Sequence, residues 1–303
     1  MTKTPTKRKL QSSADEKRLT SSVVELNLST SRSLFKSLDL NGDGFIIKSD
    51  LINSLEQRGI LPDDIRISET IKKLSPLSDA DKIDQHLFHE VISQNLTLIE
   101  RSLKGDLIIP DFITFSDIVT DIYEAVRPNQ GGAVADYIPQ LARVNPENYA
   151  ISICTVDGQR LSLGNHDVSY CVQSTCKPIN YCIAMEKNGE KKVHQHVGRE
   201  PSGRGFNELT LNKDGLPHNP MINAGAIMSC ALIHPELDVS ERFDKVMSFW
   251  QAMSGDVRPG FNNAVYLSER QTADRNYALG YFMREKNAFP ENTDLHEILE
   301  FYF

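Results

Sequence analysis

The segment at 173–178, which reads QSTCKP, constrains the fold of this chain most strongly because it sets the start of a helix. A proline is tolerated only in the first turn of a helix, where its missing N–H removes no intrahelical bond. Apolar residues follow Pro178 at helical spacing, and Asn188-Gly189 is a stop signal. The pattern therefore predicts a helix that begins close to Ser174 and ends close to Asn188.

Ser174 and Lys177 form a candidate nucleophile–base pair. Side chains three residues apart share one face of a helix, so we expect the hydroxyl and the amine to be neighbours. A serine is a weak nucleophile until a base takes its proton, and a lysine is such a base when burial lowers its pKa. The positive end of the helix dipole favours a developing negative charge near Ser174. The alternative is a helix-capping serine with a surface lysine.

Alternating residues before this helix predict β-strands. The runs 151–156 and 159–163 alternate on either side of Asp157-Gly158, which is a strong hairpin signal. Residues 168–172 predict a further strand that leads the chain to Ser174. Strands followed by a helix that S-x-x-K opens are the layout of the serine β-lactamase and transpeptidase-like fold. The predicted class for this part of the chain is therefore α+β.

A loop from Asp39 to Asp50 has the residue pattern of an EF-hand. Oxygen ligands stand at positions one, three and five, glycine at six, an apolar residue at eight and a carboxylate at twelve. The predicted calcium ligands are the side chains of Asp39, Asn41, Asp43 and Asp50 and the carbonyl of Phe45. Position twelve is the shorter aspartate rather than glutamate, and position nine is isoleucine. The alternative is an EF-hand-shaped helical module used for assembly or packing.

A second loop of this kind is expected to begin at Pro76, with Ile83 at the apolar position eight. Ala80 at position five and Leu87 at position twelve offer no side-chain oxygen, so we do not expect this loop to hold calcium. EF-hand loops pair through a short β-bridge, and we expect Ile83 to lie in that bridge.

Composition argues against several functional classes. The net charge of −8 disfavours general nucleic-acid binding. The longest apolar runs, such as 224–232, are too short to span a bilayer. The five cysteines are an odd number without metal-ligand spacing, which indicates reduced thiols in an intracellular compartment. His194, His196 and His218 do not have a metal-ligand spacing either.

Three segments are expected along the chain. Residues 1–28 are rich in Lys, Arg, Ser and Thr and indicate a disordered basic tail, because Asp15 and Glu16 count against a transit peptide. Residues 29–122 are expected to form the all-α EF-hand-like module. Residues 123–303 are expected to form the α+β domain, with a turn cluster at the boundary.

Several stretches, from about residue 105 to the end of the chain, together resemble animal-type glutaminases. They are ADYIPQL at 135–141, CTVDGQR at 154–160, QSTCKP at 173–178, GREPSG at 198–203, HNPMINAGAI at 218–227, SER at 268–270, DRN at 274–276 and NAFPENTD at 287–294. The N-terminal module is also similar to the EF-hand-like region of these enzymes. Its intact first loop departs from the degenerate form of the vertebrate members.

The resemblance implies hydrolysis of L-glutamine to L-glutamate and ammonia, without a catalytic cofactor. Ser174 would attack the side-chain amide and form a glutamyl ester, and Lys177 would accept the serine proton. Tyr137 would help to move protons to the leaving ammonia and from the water. The backbone N–H of Ser174 would form half of the oxyanion hole.

The resemblance also implies a substrate site and an assembly. Glu269 would face the α-ammonium group of glutamine, and the polar ends of the substrate would be held by Gln173, Asn223, Asn276 and Tyr302. A homotetramer, phosphate as an activator and a mitochondrial location follow from the family. A cytoplasmic location stays open.

One departure from the family bears on activity. The family's catalytic domain continues beyond the point that matches Phe303, where a further tyrosine and a glycine-rich segment complete the site. We therefore expect this chain, as a truncated form, to have little or no activity. Two alternatives stay open: a penicillin-recognising hydrolase, whose downstream K-T-G strand is absent here, and a calcium-responsive protein that assembles with full-length partners.

Overall fold

The computed structural model describes residues 13–255 and 257–303, with side chains from residue 24 onward. Contacts divide the chain into two compact units. The first contains the described residues up to Gly131 together with Glu147–Val168, and the second contains Gly132–Pro146 and Ser169–Phe303. Within the described residues, both β-sheets lie in the first unit and the second unit is helical. The chain therefore contains both helices and sheets, which agrees with the predicted α+β class.

The first unit is a set of helices with two small sheets. Its helices are α1 (Ser13–Leu38), α2 (Lys48–Glu56), α3 (Ser68–Leu74), α4 (Gln85–Ile92), α5 (Leu96–Lys104) and α6 (Phe112–Val126), with a 3-10 helix at Ile65–Ile67. Its strands are β1 (Phe45–Ile47), β2 (Lys82–Asp84), β3 (Ala150–Cys154) and β4 (Arg160–Gly164).

The predicted bridge between the two EF-hand-like loops is confirmed. Strands β1 and β2 are antiparallel, and Ile46 pairs with Ile83. Both isoleucines are buried, because position eight of each loop turns into the core between the helices. The apolar positions that flank the first loop pack into the same core, which includes Leu34, Phe35, Leu51, Leu55, Phe88 and Ile99.

The expected basic tail differs from the structure over part of its length. Helix α1 begins at Ser13, so residues 13–28 are helical rather than disordered. The C-terminal part of α1 is anchored in the core, and extension of an anchored helix adds one hydrogen bond for each residue fixed. Residues 1–12 lie outside the described residues.

Strands β3 and β4 form the predicted hairpin. Cys154 pairs with Arg160, and the N–H of Thr155 donates to the carbonyl of Gln159 across the turn. The Gly158 N–H donates to the Thr155 carbonyl, and Gly158 has a φ of 84°. This left-handed conformation favours glycine, which explains why Asp-Gly marks the turn.

The further strand predicted over 168–172 is wrong. The Val168 N–H donates to the Asn165 carbonyl in a turn, and Val168, Tyr170 and Val172 are all exposed. An alternating sequence forms a strand only where a second strand satisfies its backbone groups. Among the described residues, β4 pairs with β3 and offers no such partner to this segment.

The turn of the hairpin is held against the EF-hand-like helices by one buried amide. Gln159, which is 1% exposed, donates to the carbonyls of Arg58 and Ile109, each at 3.0 Å, and accepts from the Ile109 N–H at 3.0 Å. The Arg160 N–H donates to the Gly59 carbonyl at 2.8 Å. The hairpin therefore belongs to the first unit, whereas the expected boundaries placed it in the α+β domain.

The second unit is built around a buried helix of small residues. Its helices are α7 (Pro139–Ala142), α8 (Lys177–Asn188), α9 (Glu190–Val193), α10 (Asn223–Leu232), α11 (Val239–Met253), α12 (Asn263–Gln271), α13 (Asp274–Glu285) and α14 (Leu295–Tyr302), with a 3-10 helix at Gln173–Cys176. Every residue of α10 after Asn223 is buried. Gly225 permits the tight turn before α10, because a Cβ there would collide with the Asn219 carbonyl.

In the described part of the chain, every helix is too short or too polar to cross a bilayer.

Loss of the Gln159 amide should destabilise the first unit. Gln159→Ala leaves the Ile109 N–H and the carbonyls of Arg58 and Ile109 without this partner, and each buried unsatisfied group costs roughly 1 kcal/mol or more. We expect the free energy of unfolding, measured by chemical denaturation, to fall by about 3 kcal/mol. Ser162→Ala, at an exposed position of β4, is the matched control and should change it by less than about 0.5 kcal/mol. Equal losses in both variants would contradict this prediction.

Candidate active site

Ser174 lies in the 3-10 helix that leads directly into α8. Helix α8 begins at Lys177 and has Pro178 in its first turn, as predicted. Ser174 therefore precedes the α-helix by one 3-10 turn, in which side chains three residues apart are eclipsed. Ser174 is exposed, and its hydroxyl makes no hydrogen bond to any other described residue. The predicted pairing of Ser174 with Lys177 therefore rests on their three-residue spacing in this helical turn and stays a prediction.

The backbone immediately before Ser174 is strained. Gln173 has a φ of 45°, in the left-handed region that side chains other than glycine rarely adopt. Such a conformation costs of order 1–2 kcal/mol and persists only where the surrounding structure enforces it. Strain of this kind is concentrated at functional sites, which supports a functional reading of this turn.

Lys177 is a buried amine with a neutral partner. It is 5% exposed, and its Nζ donates to Asn223 Oδ1 at 2.7 Å. Burial lowers the pKa of Lys177, because desolvation disfavours the charged form. The ring of Phe206 lies 5.8 Å from Nζ. Lys177 therefore has the environment that a lysine general base requires.

Asn223 joins Lys177 to two further amides. Its Nδ2 lies 3.3 Å from Asn207 Oδ1 and 3.3 Å from Asn276 Oδ1. Lysine only donates, so Asn223 Oδ1 must be the acceptor and its Nδ2 must be the donor to both amides. The Nδ2 groups of Asn207 and Asn276 are then free to point away from Asn223. The sequence analysis missed Asn207, because the glycine-rich loop before it carries no periodic signal.

Tyr137 joins Gln173 to Glu269. Its hydroxyl oxygen lies 2.6 Å from Gln173 Oε1 and 2.8 Å from Glu269 Oε1. A phenol has one hydrogen, so the satisfied arrangement has Tyr137 donating to Glu269 and the Gln173 amide turned to donate to Tyr137. Desolvation raises the pKa of Tyr137, and the bond to Glu269 raises it further. Tyr137 therefore stays a proton donor at neutral pH.

Tyr302 lies at the end of α14 and is half-buried. Burial raises the pKa of Tyr302, and the negative charge of Glu269 adds to this effect. Tyr302 is thus within electrostatic range of the Tyr137–Glu269 pair. All the residues predicted for catalysis and substrate binding lie in the second unit. Hydrogen bonds connect all of them except Ser174 and Tyr302 to Gln173 or Lys177, which flank Ser174 in the sequence.

The site combines an exposed hydroxyl, a buried amine, a carboxylate and neutral amides. A hydroxyl beside an amine with a lowered pKa can attack a carbonyl carbon. A carboxylate with neutral donors around it can bind a small molecule that carries both an ammonium and a carboxylate group. The arrangement is therefore suited to acyl transfer on a zwitterion.

The predicted calcium loop contains one buried carboxylate oxygen that has no hydrogen-bond partner. Asp39 Oδ2 accepts from the Gly44 N–H at 3.0 Å, and Asp39 Oδ1 is buried without a hydrogen-bond partner. Asp43 Oδ1 accepts from the Phe45 N–H at 3.1 Å, while Asp43 Oδ2 meets Lys82 Nζ at 3.1 Å. No group of three or more acidic, histidine or cysteine side chains is clustered for a metal among the described residues.

Comparison with known families gives two matches. A family model described as Glutaminase matches residues 132–303, and one described as EF-hand domain matches residues 30–110. The mitochondrial liver isoform of glutaminase from Mus musculus is 40% identical over 254 residues, covering 82% of this chain and 42% of the relative. Putative glutaminase 2 of Caenorhabditis elegans is 42% identical over 267 residues, covering 84% and 44%. The chain thus spans less than half the length of these relatives.

Solved structures give the same neighbours. A structure described as a probable glutaminase superimposes with a TM-score of 0.57 at 29% identity, covering 62% of this chain and 60% of that one. The crystal structure of Mglu in its native form superimposes with a TM-score of 0.56 at 32% identity, covering 62% of this chain and 45% of that one.

The lowered pKa of Lys177 predicts that stability depends on pH. Between this pKa and the ordinary value of about 10.4, the unfolded chain holds a proton that the folded chain has released. The unfolded state then binds more protons, so the free energy of unfolding rises with pH in this window. We expect the parent chain to gain stability relative to Lys177→Met as the pH rises toward about 10, measured by denaturant unfolding. Lys213→Met, at an exposed lysine, should show no such gain, and a pH-independent difference for Lys177→Met would contradict the prediction.

Proposed function

The chain belongs to the glutaminase family, and from this premise we propose that it hydrolyses L-glutamine to L-glutamate and ammonia through an ester on Ser174. The observation that carries the proposal is the buried Lys177, whose pKa is lowered by desolvation and which follows Ser174 by one helical turn. The hydroxyl, the base and the carboxylate all lie within the segment that the family model matches.

In the proposed acylation, the Lys177 amine takes the proton from Ser174 Oγ. Asn223 holds one N–H of the amine, which leaves the lone pair of a neutral lysine free for this proton. Oγ then attacks the side-chain carbonyl carbon of glutamine, and the Ser174 N–H supports the oxyanion. The C–N bond breaks as Tyr137 and Lys177 deliver a proton to the leaving ammonia.

In the proposed deacylation, water attacks the glutamyl ester. The same groups accept the proton of the water and return a proton to Ser174 Oγ, so the C–O bond to the serine breaks and glutamate leaves. The raised pKa of Tyr137 keeps its phenol protonated between the two steps. The chain therefore ends each turnover in its starting protonation state.

In the proposal, glutamine is recognised through its two charged groups, the α-ammonium and the α-carboxylate. The Glu269 carboxylate binds the α-ammonium group, and the Nδ2 group of Asn276 is free to donate to the α-carboxylate because Asn223 fixes the other end of that amide. Gln173 and Tyr302 complete the polar contacts. A compound that lacks the ammonium group would leave Glu269 unpaired, which is the physical basis of selectivity for an amino acid.

The serine β-lactamase-like fold, the division into an EF-hand-like module and a catalytic domain, a homotetramer and activation by phosphate stay proposals from the family. A mitochondrial location is proposed because a similar relative is named as a mitochondrial isoform.

Removal of the Ser174 hydroxyl should abolish turnover. We expect Ser174→Ala to lower the rate of ammonia release from glutamine by about a thousandfold or more, because no other group forms the ester. Mass spectrometry should detect the glutamyl ester on the Ser174 peptide of the parent chain after acid quenching. Ser248→Ala, at an exposed serine of α11, is the control and should retain the parent rate. Release by the parent chain no faster than by Ser174→Ala would refute the proposal.

The first EF-hand-like loop supports a second candidate function, which is calcium binding. The unpartnered, buried Asp39 Oδ1 and the EF-hand family match favour it. The side chains of Asp39, Asn41, Asp43 and Asp50 and the Phe45 carbonyl would hold the ion. The ion would stabilise the loop and take no part in the hydrolysis.

Lys82 should weaken calcium binding, because its ammonium already pairs with Asp43 Oδ2. The pair is exposed and therefore weak, so Lys82→Gln should tighten the Kd by only about two- to fivefold in calorimetric titration. Lys48→Gln, whose amine meets Asp79 and the Leu77 carbonyl instead, is the control. Asp39→Ala should abolish binding, and binding that survives this substitution would exclude the loop as the site.

A further inference from the structure

Arg242 is a charged side chain buried in the second unit. It is 1% exposed. Its Nε donates to the Ile233 carbonyl at 3.0 Å, and its Nη2 donates to the Cys230 carbonyl at 2.6 Å. Its Nη1 donates to Glu297 Oε1 at 3.0 Å, and the guanidinium lies 4.7 Å from the centroid of the Phe301 ring. A buried charge persists only where its donors are matched, and each side of this guanidinium has a partner.

These partners lie on two helices of the candidate site. The carbonyls of Cys230 and Ile233 are at the C-terminal end of α10, the helix that begins at Asn223. Glu297 and Phe301 lie on α14, and Tyr302 follows Phe301 as the last residue of that helix. Arg242, on α11, therefore connects the end of α10 to α14 through one rigid group. A planar fork of five donors makes this possible, whereas the ammonium of a lysine would not reach all of these partners at once.

We infer that Arg242 is a positioning residue that holds Tyr302 in the substrate site by locking α14 to α10. The role of Tyr302 rests on the proposed function, whereas the lock between the helices does not. Helix α14 is short, with eight residues, so its placement depends on the contacts made along it. Because Tyr302 is assigned to substrate binding, its displacement removes a contact made in the ground state and the transition state alike, which raises KM and leaves kcat unchanged.

Measurements of KM and kcat can distinguish a positioning role of Arg242 from a general contribution to stability. Arg242→Lys keeps the charge and loses the fork, so we expect KM for glutamine to rise about tenfold with kcat within about twofold of the parent. A variant that is only less stable has a smaller active fraction, which lowers the apparent kcat and leaves KM unchanged. Because Arg242 acts through Tyr302, adding Arg242→Lys to Tyr302→Phe should raise KM no further. An unchanged KM for Arg242→Lys, or KM effects that multiply in the double variant, would overturn the inference.

Hydrogen exchange tests the lock without any need for activity. In the full chain, Arg242→Lys should speed amide exchange in α14 and at the end of α10 by at least about tenfold, because hydrogen bonds from the guanidinium to both segments are lost. Exchange in the first unit should not change. Arg258→Lys, at an exposed arginine that pairs with Asp244 of α11 at 3.6 Å, is the matched control. If the parent chain releases no ammonia, the proposed function fails; if α14 exchanges alike in both lysine variants, the lock itself is refuted.

Discussion

The hydrogen bond from Lys177 to Asn223 is the interaction on which the candidate site depends. It joins the first residue of α8 to the first residue of α10, and Lys177 itself is buried. A carboxylate in place of Asn223 would stabilise the ammonium and raise its pKa, whereas a neutral amide satisfies one N–H without adding charge. The pKa of Lys177 is consequently lowered by desolvation and is not raised by a carboxylate partner, as the proposed role of a general base requires.

The strained backbone at Gln173 is a second feature that constrains the geometry of the candidate site. A left-handed residue changes the direction of the chain just before Ser174, and the side chain of the same residue contacts Tyr137. Tyr137 contacts Glu269 in turn, so the carboxylate that would bind the substrate is coupled to the turn that presents the nucleophile. A strained residue persists only where the surrounding structure enforces it, and under the proposed function these contacts would set the distance between the carboxylate that binds glutamine and the hydroxyl that reacts.

Local rules made several parts of the molecule predictable from the sequence. Pro178 marks the first turn of α8 and Gly158 marks the hairpin turn, because each depends on neighbours in sequence. Ile46 could be placed opposite Ile83 because each loop pattern fixes its own position eight, where EF-hand loops pair. The strand over 168–172 could not be decided in this way, since strand formation requires a partner that only the tertiary structure supplies. The contact between Asn207 and Asn223 was missed for the same reason: its members are distant in sequence, and neither belongs to a periodic pattern.

Both units use long polar side chains to satisfy carbonyls where a helix ends. In the first unit, Gln159 donates to the Arg58 carbonyl just beyond α2; in the second, Arg242 donates to the carbonyls of Cys230 and Ile233 at the end of α10. The last carbonyls of a helix have no intrahelical partner, so a distant side chain that reaches them stabilises the helix and attaches another element to it. Helix N-termini carry their signals in the local sequence, as Pro178 does, whereas these C-terminal contacts are supplied from elsewhere in the chain. The parts of the site that depend on such contacts are therefore visible only in the folded structure.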